Sequence, residues 1–250
     1  MSCRILNLSA YAFVTLDRLP ERRDRLYRDA AACGLNGTVV LAEEGINLFV
    51  AGQERGVRDW LTRLRQDPRL AALEAKESWS DRLPFRHLRV KVKREIIRMN
   101  QPLVQPATDP KGRASKVDAA TLARWLDAGH DDAGRDVLML DTRNAFEVDA
   151  GAFDGAIDWR LRKFSDFPAA LAAHRNDLDG RTVVAYCTGG IRCEKAALAM
   201  RDSGLDNVYQ LDGGVLRYYE RLPEAPHWHG RCFVFDDRET LGPDLMPHAR

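Results

Sequence analysis

Between positions 185 and 195 the chain reads Ala185-Tyr186-Cys187-Thr188-Gly189-Gly190-Ile191-Arg192-Cys193-Glu194-Lys195. An apolar strand expected over 182–186 stops at Cys187. A loop with two adjacent glycines follows, and a helix expected over 192–202 begins at Arg192. In an open α/β sheet, that edge of the strands is where ligands bind. The glycines let Thr188, Gly189, Gly190, Ile191 and Arg192 curl so that backbone N–H groups face the sulfur. The helix adds its positive amino end, and both favour a thiolate over a thiol. Such a cysteine attacks an electrophile and carries a group covalently. Most lone cysteines are buried packing residues, but strand end, glycine loop, arginine and helix start coincide here. Cys187 reads as a working nucleophile.

Its neighbours have two readings each. Arg192 stabilises an anion such as a thiolate, a persulfide or a phosphate, or it makes a surface ion pair with Glu194 or a neighbour, which is worth little. Cys193 resolves an oxidised or persulfide form of Cys187, or it packs the first helical turn, which is the favoured reading. His227, His229 and Cys232 hint at metal ligation. No second cysteine pair completes such a site, so no metal is expected.

The elements that must position the loop fall into two halves. The first half reads as a strand over 5–16, a helix over 20–32 closed by Gly34, and a hairpin of strands over 38–41 and 46–50. A helix over 53–66 carries Val57, Trp60, Leu61 and Leu64 on one face, and strand candidates follow over 73–79 and 87–97. That order predicts a ferredoxin-like α+β domain over 1–97. Periodicity stops over 98–114, where Pro102, Pro106, Pro110 and Gly112 predict a linker. The second half, 115–222, alternates apolar strands over 137–140, 182–186 and 208–211 with helices over 118–128, 168–174, 192–202 and 215–220. This predicts a parallel α/β sheet covered on both faces. Residues 223–250 read as an irregular tail.

The 250 residues carry 38 Lys+Arg against 37 Asp+Glu, a net charge of +1, with 45% hydrophobic and 30% charged residues. That balance fits a soluble globular chain of one large or two modest domains and excludes a disordered tail protein or a globally basic one. No apolar run approaches the ~20 residues of a membrane helix, and the start of the chain does not read as a signal peptide. Five scattered cysteines (Cys3, Cys33, Cys187, Cys193, Cys232) contain no Cys-x-x-Cys pair. Reduced thiols and a cytoplasmic location are expected.

One local basic stretch stands out. From His87 the pattern alternates, so an edge or half-buried strand would place Arg89, Lys91 and Lys93 on one face, with Arg94 following. Such a face is usually only solvated. As a phosphate-tracking stripe it would continue through Arg98 and through Lys111, Arg113 and Lys116. Tyr218, Tyr219 and Trp228 are candidates for stacking a splayed base, although aromatics late in a chain are more often core.

The second half resembles a rhodanese domain. Asp141-Thr142-Arg143, Glu147, Gly151 and Gly155-Ala156 match the upstream rhodanese motif, with Phe153 departing from a common His-Ile pair, and Cys187 matches the persulfide cysteine. The loop is Cys-x-x-x-x-Arg, one residue shorter than in the related tyrosine phosphatases, which weighs against phosphatase activity. Gly37-Thr38, Glu44-Gly45-Ile46-Asn47, Lys91 to Ile96, Asp141 to Asn144, Cys187 to Lys195 and Trp228 to Asp236 follow in order. This succession resembles the bacterial tRNA uridine-34 hydroxylases over nearly the whole chain, with Leu48-Phe49 in place of the family's usual Gly-Thr. The resemblance implies oxygen-dependent formation of 5-hydroxyuridine at the wobble position. It implies the tRNA anticodon loop as partner, molecular oxygen as co-substrate without another evident cofactor, and Cys187 as the essential residue. It also implies an acylphosphatase-like first domain, a candidate for RNA binding. Arg143 and Glu147 would hold the loop's surroundings by ion pairing. The cysteine-rich tail of longer members is not expected, because the sequence stops at Arg250. The alternatives are a sulfurtransferase moving sulfane sulfur to a small acceptor or carrier protein, and a redox or binding module on an inactive rhodanese fold.

Overall fold

The computed structural model describes residues 4–247, so Cys3 lies outside the described residues. The chain divides into two compact units. The first ends at Arg98 and takes in Phe235–Glu239; the second runs over Met99–Val234 and resumes at Thr240.

The first unit runs β1 (Ile5–Phe13), α1 (Leu19–Ala32), β2 (Asn36–Ala42), β3 (Gly45–Gln53), α2 (Glu54–Leu64), β4 (Ala75–Ser80) and β5 (Leu88–Val92). The sheet order is β4-β1-β3-β2-β5. Its first four strands are antiparallel neighbours, with β3 between the parallel strands β1 and β2 of a split βαβ. Val57, Trp60, Leu61 and Leu64 recur at helical spacing, so one face of α2 joins Leu6, Leu48 and Val50 in the core. Gly45 opens β3 because a Cβ there would collide with the Ala12 carbonyl.

The expected strand over 87–97 is shorter and takes an unexpected place. β5 ends at Val92 and lies parallel to β2 at the sheet edge, adding a fifth strand to the ferredoxin-like four. Lys93 carries the ladder one bond further, its N–H donating to the Leu41 carbonyl at 2.8 Å. Beyond it the chain turns in. The Ile96 N–H donates to the Glu44 carboxylate at 2.7 Å, and the Asn47 side chain donates to the Ile96 carbonyl at 3.2 Å. Two sequence motifs distant in the chain thus meet at one hairpin.

The second unit runs β6 (Ser115–Val117), α3 (Ala119–Ala128), β7 (Val137–Asp141), α4 (Ala145–Val148), β8 (Gly151–Phe153), β9 (Ile157–Asp158), α5 (Phe167–His174), β10 (Thr182–Tyr186), α6 (Ile191–Asp202), β11 (Val208–Leu211) and α7 (Gly214–Arg221). Three short strands follow: β12 (Trp228–Gly230), β13 (Cys232–Phe233) and β14 (Thr240–Leu241). The main sheet is parallel throughout, in the order β6-β11-β10-β7-β9. The central strand β10 is buried along its whole length, as its unbroken Val-Val-Ala-Tyr run requires. The Asp118 side chain caps α3 by accepting from the Thr121 N–H at 2.9 Å. No helix among the described residues is long and apolar enough to cross a membrane.

Two expectations are corrected. Residues 99–114 are not a free linker but part of the second unit. Met99, Val104 and Ala114 are buried, and the Arg201 guanidinium donates to the Gly112 carbonyl at 2.5 Å. The prolines shape turns whose few apolar residues anchor the segment. Nor is 223–250 simply an irregular tail. β12 pairs antiparallel with β8, β13 pairs with β14, and Trp228, Cys232, Val234 and Leu241 are buried. Strands of two or three residues are too short to leave a periodic trace. The segment Phe235–Glu239 belongs to the first unit, where the Asp237 N–H donates to the Pro84 carbonyl at 3.0 Å.

Candidate active site

Cys187 follows β10 and begins a loop that ends at Gly190, whose φ of +96° provides the left-handed turn into α6. The Gly190 N–H donates to the Cys187 sulfur at 3.1 Å, and the Arg192 N–H also points to it. The loop's carbonyls face the other way. Those of Cys187 and Thr188 accept from the N–H groups of Val215 and Leu216, at 3.0 and 3.1 Å, at the start of α7. A Cβ on Gly214 would strike the Cys187 carbonyl, the Gly190 nitrogen and the Thr188 carbonyl, so only glycine admits this approach. Nothing in the sequence around Gly213-Gly214 signals that Gly214 clamps the loop.

Arg192 is not a surface residue, and its carboxylate partner is Glu147. It is buried, and its guanidinium donates to both Glu147 oxygens, at 2.6 and 2.7 Å. Thr188 Oγ1 donates to Glu147 Oε1 at 3.2 Å, and the Asn144 N–H donates to Oε2 at 3.0 Å. Burial raises the Glu147 carboxyl, but the Arg192 charge and these donors hold it below the usual carboxylate range. Arg143 is a separate device. It grips Asp141 through Nε at 2.9 Å, donates to the Gly151 carbonyl at 2.6 Å, and lies over the rings of Tyr186 and Trp228. Glu147 therefore braces Arg192 beside the sulfur, whereas Arg143 ties the end of β7 to the aromatic core.

The buried cysteines differ in state. Burial by itself pushes the Cys187 thiol up. A hydrogen bond from the Cys193 thiol, the Arg192 charge and the N–H groups of Arg192 and Gly190 outweigh it and bring Cys187 down to about 5. Cys193 is pushed well above the ordinary thiol range by burial and by the thiolate beside it. Cys232, also buried, is pushed up to about 12. At neutral pH the arrangement holds one thiolate and keeps its neighbours protonated. That is the electronic state of a nucleophile.

The other candidates are dispersed. Arg89 and Lys91 are exposed on β5, with Lys93 and Arg94 exposed just beyond it. Lys111, Arg113 and Lys116 are also exposed, but each faces a carboxylate: Asp202 at 3.6 Å, Glu194 at 3.6 Å and Asp212 at 2.9 Å. Tyr218, Tyr219 and Trp228 are core: Tyr218 and Trp228 pack edge-on against Phe153, and Tyr219 packs edge-on against Trp228. His227 faces Asp127 at 2.8 Å, and His229 faces Asp154. Among the described residues no three His, Cys, Asp or Glu gather as metal ligands would.

Residues 5–96 match the UPF0176 acylphosphatase-like domain, and residues 119–221 match the rhodanese-like domain. The rhodanese-like domain of an Anabaena protein is similar over 46% of this chain and 78% of its own, at 20% identity and a TM-score of 0.37. The tRNA uridine(34) hydroxylase of Variovorax paradoxus is 59% identical over 98% of this chain and 92% of its own length. That of Bordetella petrii is 58% identical over 97% of this chain and 95% of its own. With identity at this level sustained through both units, the chain belongs to the tRNA uridine(34) hydroxylase family.

Proposed function

We propose that this chain hydroxylates uridine 34 in the anticodon loop of tRNA, in the cytoplasm, with molecular oxygen as co-substrate and Cys187 as the reacting sulfur. The observation that carries the reading is the single thiolate held by N–H donors and by the Glu147–Arg192 pair, in a chain 59% identical to a relative of that name. A uracil ring is electrophilic at C6, because its double bond is conjugated to the C4 carbonyl. Addition of the Cys187 thiolate there makes C5 electron-rich, and C5 is the atom that takes the oxygen. Arg192 and the loop N–H groups hold the sulfur as an anion before attack and receive it again as a leaving group. Cys187 is fully buried, so the residues over it must move aside for the base, which must itself leave its stack. The exposed cations of β5 would follow the backbone phosphates.

The test is nucleoside mass analysis of wobble positions in tRNA from cells lacking the protein. The wild-type chain should restore 5-hydroxyuridine and Cys187→Ser should not. Restoration by the serine variant would remove Cys187 from the mechanism. An unmodified wobble base with brisk sulfur transfer from thiosulfate would favour the sulfurtransferase alternative.

A further inference from the structure

Cys193 is more than a small residue filling a helical turn. It is the third residue of α6, fully buried, and its thiol hydrogen-bonds the Cys187 sulfur. Its other polar neighbour is the Thr142 hydroxyl, 3.8 Å away, whose own proton goes to the Tyr186 carbonyl at 2.9 Å. Thr142 can therefore only accept from Cys193. The Cys193 S–H sits between two acceptors, of which the Cys187 thiolate is the stronger. Neither sulfur is in a disulfide in this structure. Two sulfurs in contact, one a thiolate and one protonated, with differing environments, are a dithiol arranged for exchange chemistry.

We propose that Cys193 is a second catalytic residue, which takes the outer oxygen atom of the reacting dioxygen and then closes a disulfide with Cys187. This rests on the hydroxylation reading, and it settles that reaction's electron balance. Placing one atom of dioxygen on C5 leaves the other to be reduced to water, which takes two electrons. With Cys187 bonded to C6, dioxygen adds at C5 and becomes a hydroperoxide by taking up the proton the Cys187 thiol had lost. The Cys193 sulfur takes the outer oxygen: the O–O bond breaks, a hydroxyl stays on C5, and Cys193 becomes a sulfenic acid. C5 then loses its hydrogen as a proton while the C6–S bond breaks and frees the Cys187 thiolate. That thiolate attacks the Cys193 sulfur, the S–S bond forms, and hydroxide leaves as water with the released proton. Uridine, dioxygen and two thiols become 5-hydroxyuridine, water and a disulfide. A small cellular thiol or a dithiol reductant restores the pair.

The experiment uses the full chain, reduced and then freed of reductant, with excess tRNA lacking the modification in aerated buffer. The expected result is a single 5-hydroxyuridine per chain, a Cys187–Cys193 disulfide in non-reducing peptide mass analysis, and renewed turnover on adding a small thiol. Cys193→Ser and Cys193→Ala should stay folded, keep Cys187 open to alkylation, and lose hydroxylation. A packing role would not link product yield to disulfide yield. Sustained turnover without reductant, product without the disulfide, or wild-type rates in both Cys193 variants would overturn the proposal while leaving hydroxylation in place. No product from the wild-type chain even with excess thiol would bring down the hydroxylation reading itself, and this inference with it.

Discussion

The cations of the cysteine loop and those of the basic edge strand are built in opposite ways. Arg192 and Arg143 are buried, and each is held by paired bonds to one carboxylate, Glu147 and Asp141 respectively. Arg89, Lys91, Lys93 and Arg94 stand in solvent along β5 and just past it. A buried charge persists only if its partners are complete, so it fixes geometry and is costly to disturb. An exposed charge fixes little and remains available to a mobile anion such as a phosphate. Lys111, Arg113 and Lys116 fall between, exposed but each facing a carboxylate of its own unit.

Substitutions should rank in that order. Glu147→Ala strands the Arg192 guanidinium in the interior, and losing one partner of a buried pair costs about 3–5 kcal/mol. Denaturant unfolding should register this, and a loss below about 1 kcal/mol would mean water replaces Glu147 at little cost.

The next effect is electronic. Because Cys187 titrates near 5, its alkylation rate should be level at neutral pH and fall as pH drops through about 5. Its folded value lies below that of an unfolded thiol. The thiolate therefore contributes stability that is complete above the unfolded value and is lost as pH falls toward the folded one. Arg192→Lys keeps the charge but loses the two-pronged grip on Glu147, so the fall in rate should move to higher pH. An unmoved profile would assign the thiolate to the Cys193 thiol and the loop N–H groups without Arg192.

The surface effects come last. Replacing Lys91 and Lys93 with Ala should flatten the salt dependence of tRNA binding by about 0.7–0.9 in log–log slope for each phosphate no longer neutralised. Cys187 alkylation should be unchanged. An unaltered slope would make β5 a solvated edge and move RNA binding elsewhere. Replacing Lys111, Arg113 and Lys116 with Ala should change the slope less, because their carboxylates already compete with phosphate. An equal or larger change would reverse the comparison between these two groups.

Much of the frame was legible because it is local. The apolar runs of β7 and β10, the spacing of Val57, Trp60, Leu61 and Leu64, and the cysteine–glycine loop are contiguous signals. What stayed hidden depends on contacts far apart in sequence. The resemblance marked Glu147 as an ion-pairing residue beside the loop, but nothing near Arg192 announces it as the partner, and nothing near Gly214 announces the Cys187 carbonyl. Proline-rich turns read as a linker because a few buried side chains, Met99, Val104 and Ala114, carry no period. Tyr218, Tyr219 and Trp228 are chemically suited both to bases and to a core, and the packing of Tyr218 and Trp228 on Phe153 and of Tyr219 on Trp228 decides for the core.

The most direct test of the central claim uses purified protein, unmodified tRNA, a thiol reductant and isotopically heavy oxygen gas. The wild-type chain should place a heavy oxygen atom on wobble uridine, Cys187→Ser should place none while keeping its fold, and Lys91→Ala should slow labelling only as binding weakens. Heavy oxygen on the wobble base in the Cys187→Ser reaction, or an unlabelled hydroxyl from the wild type, would contradict the account.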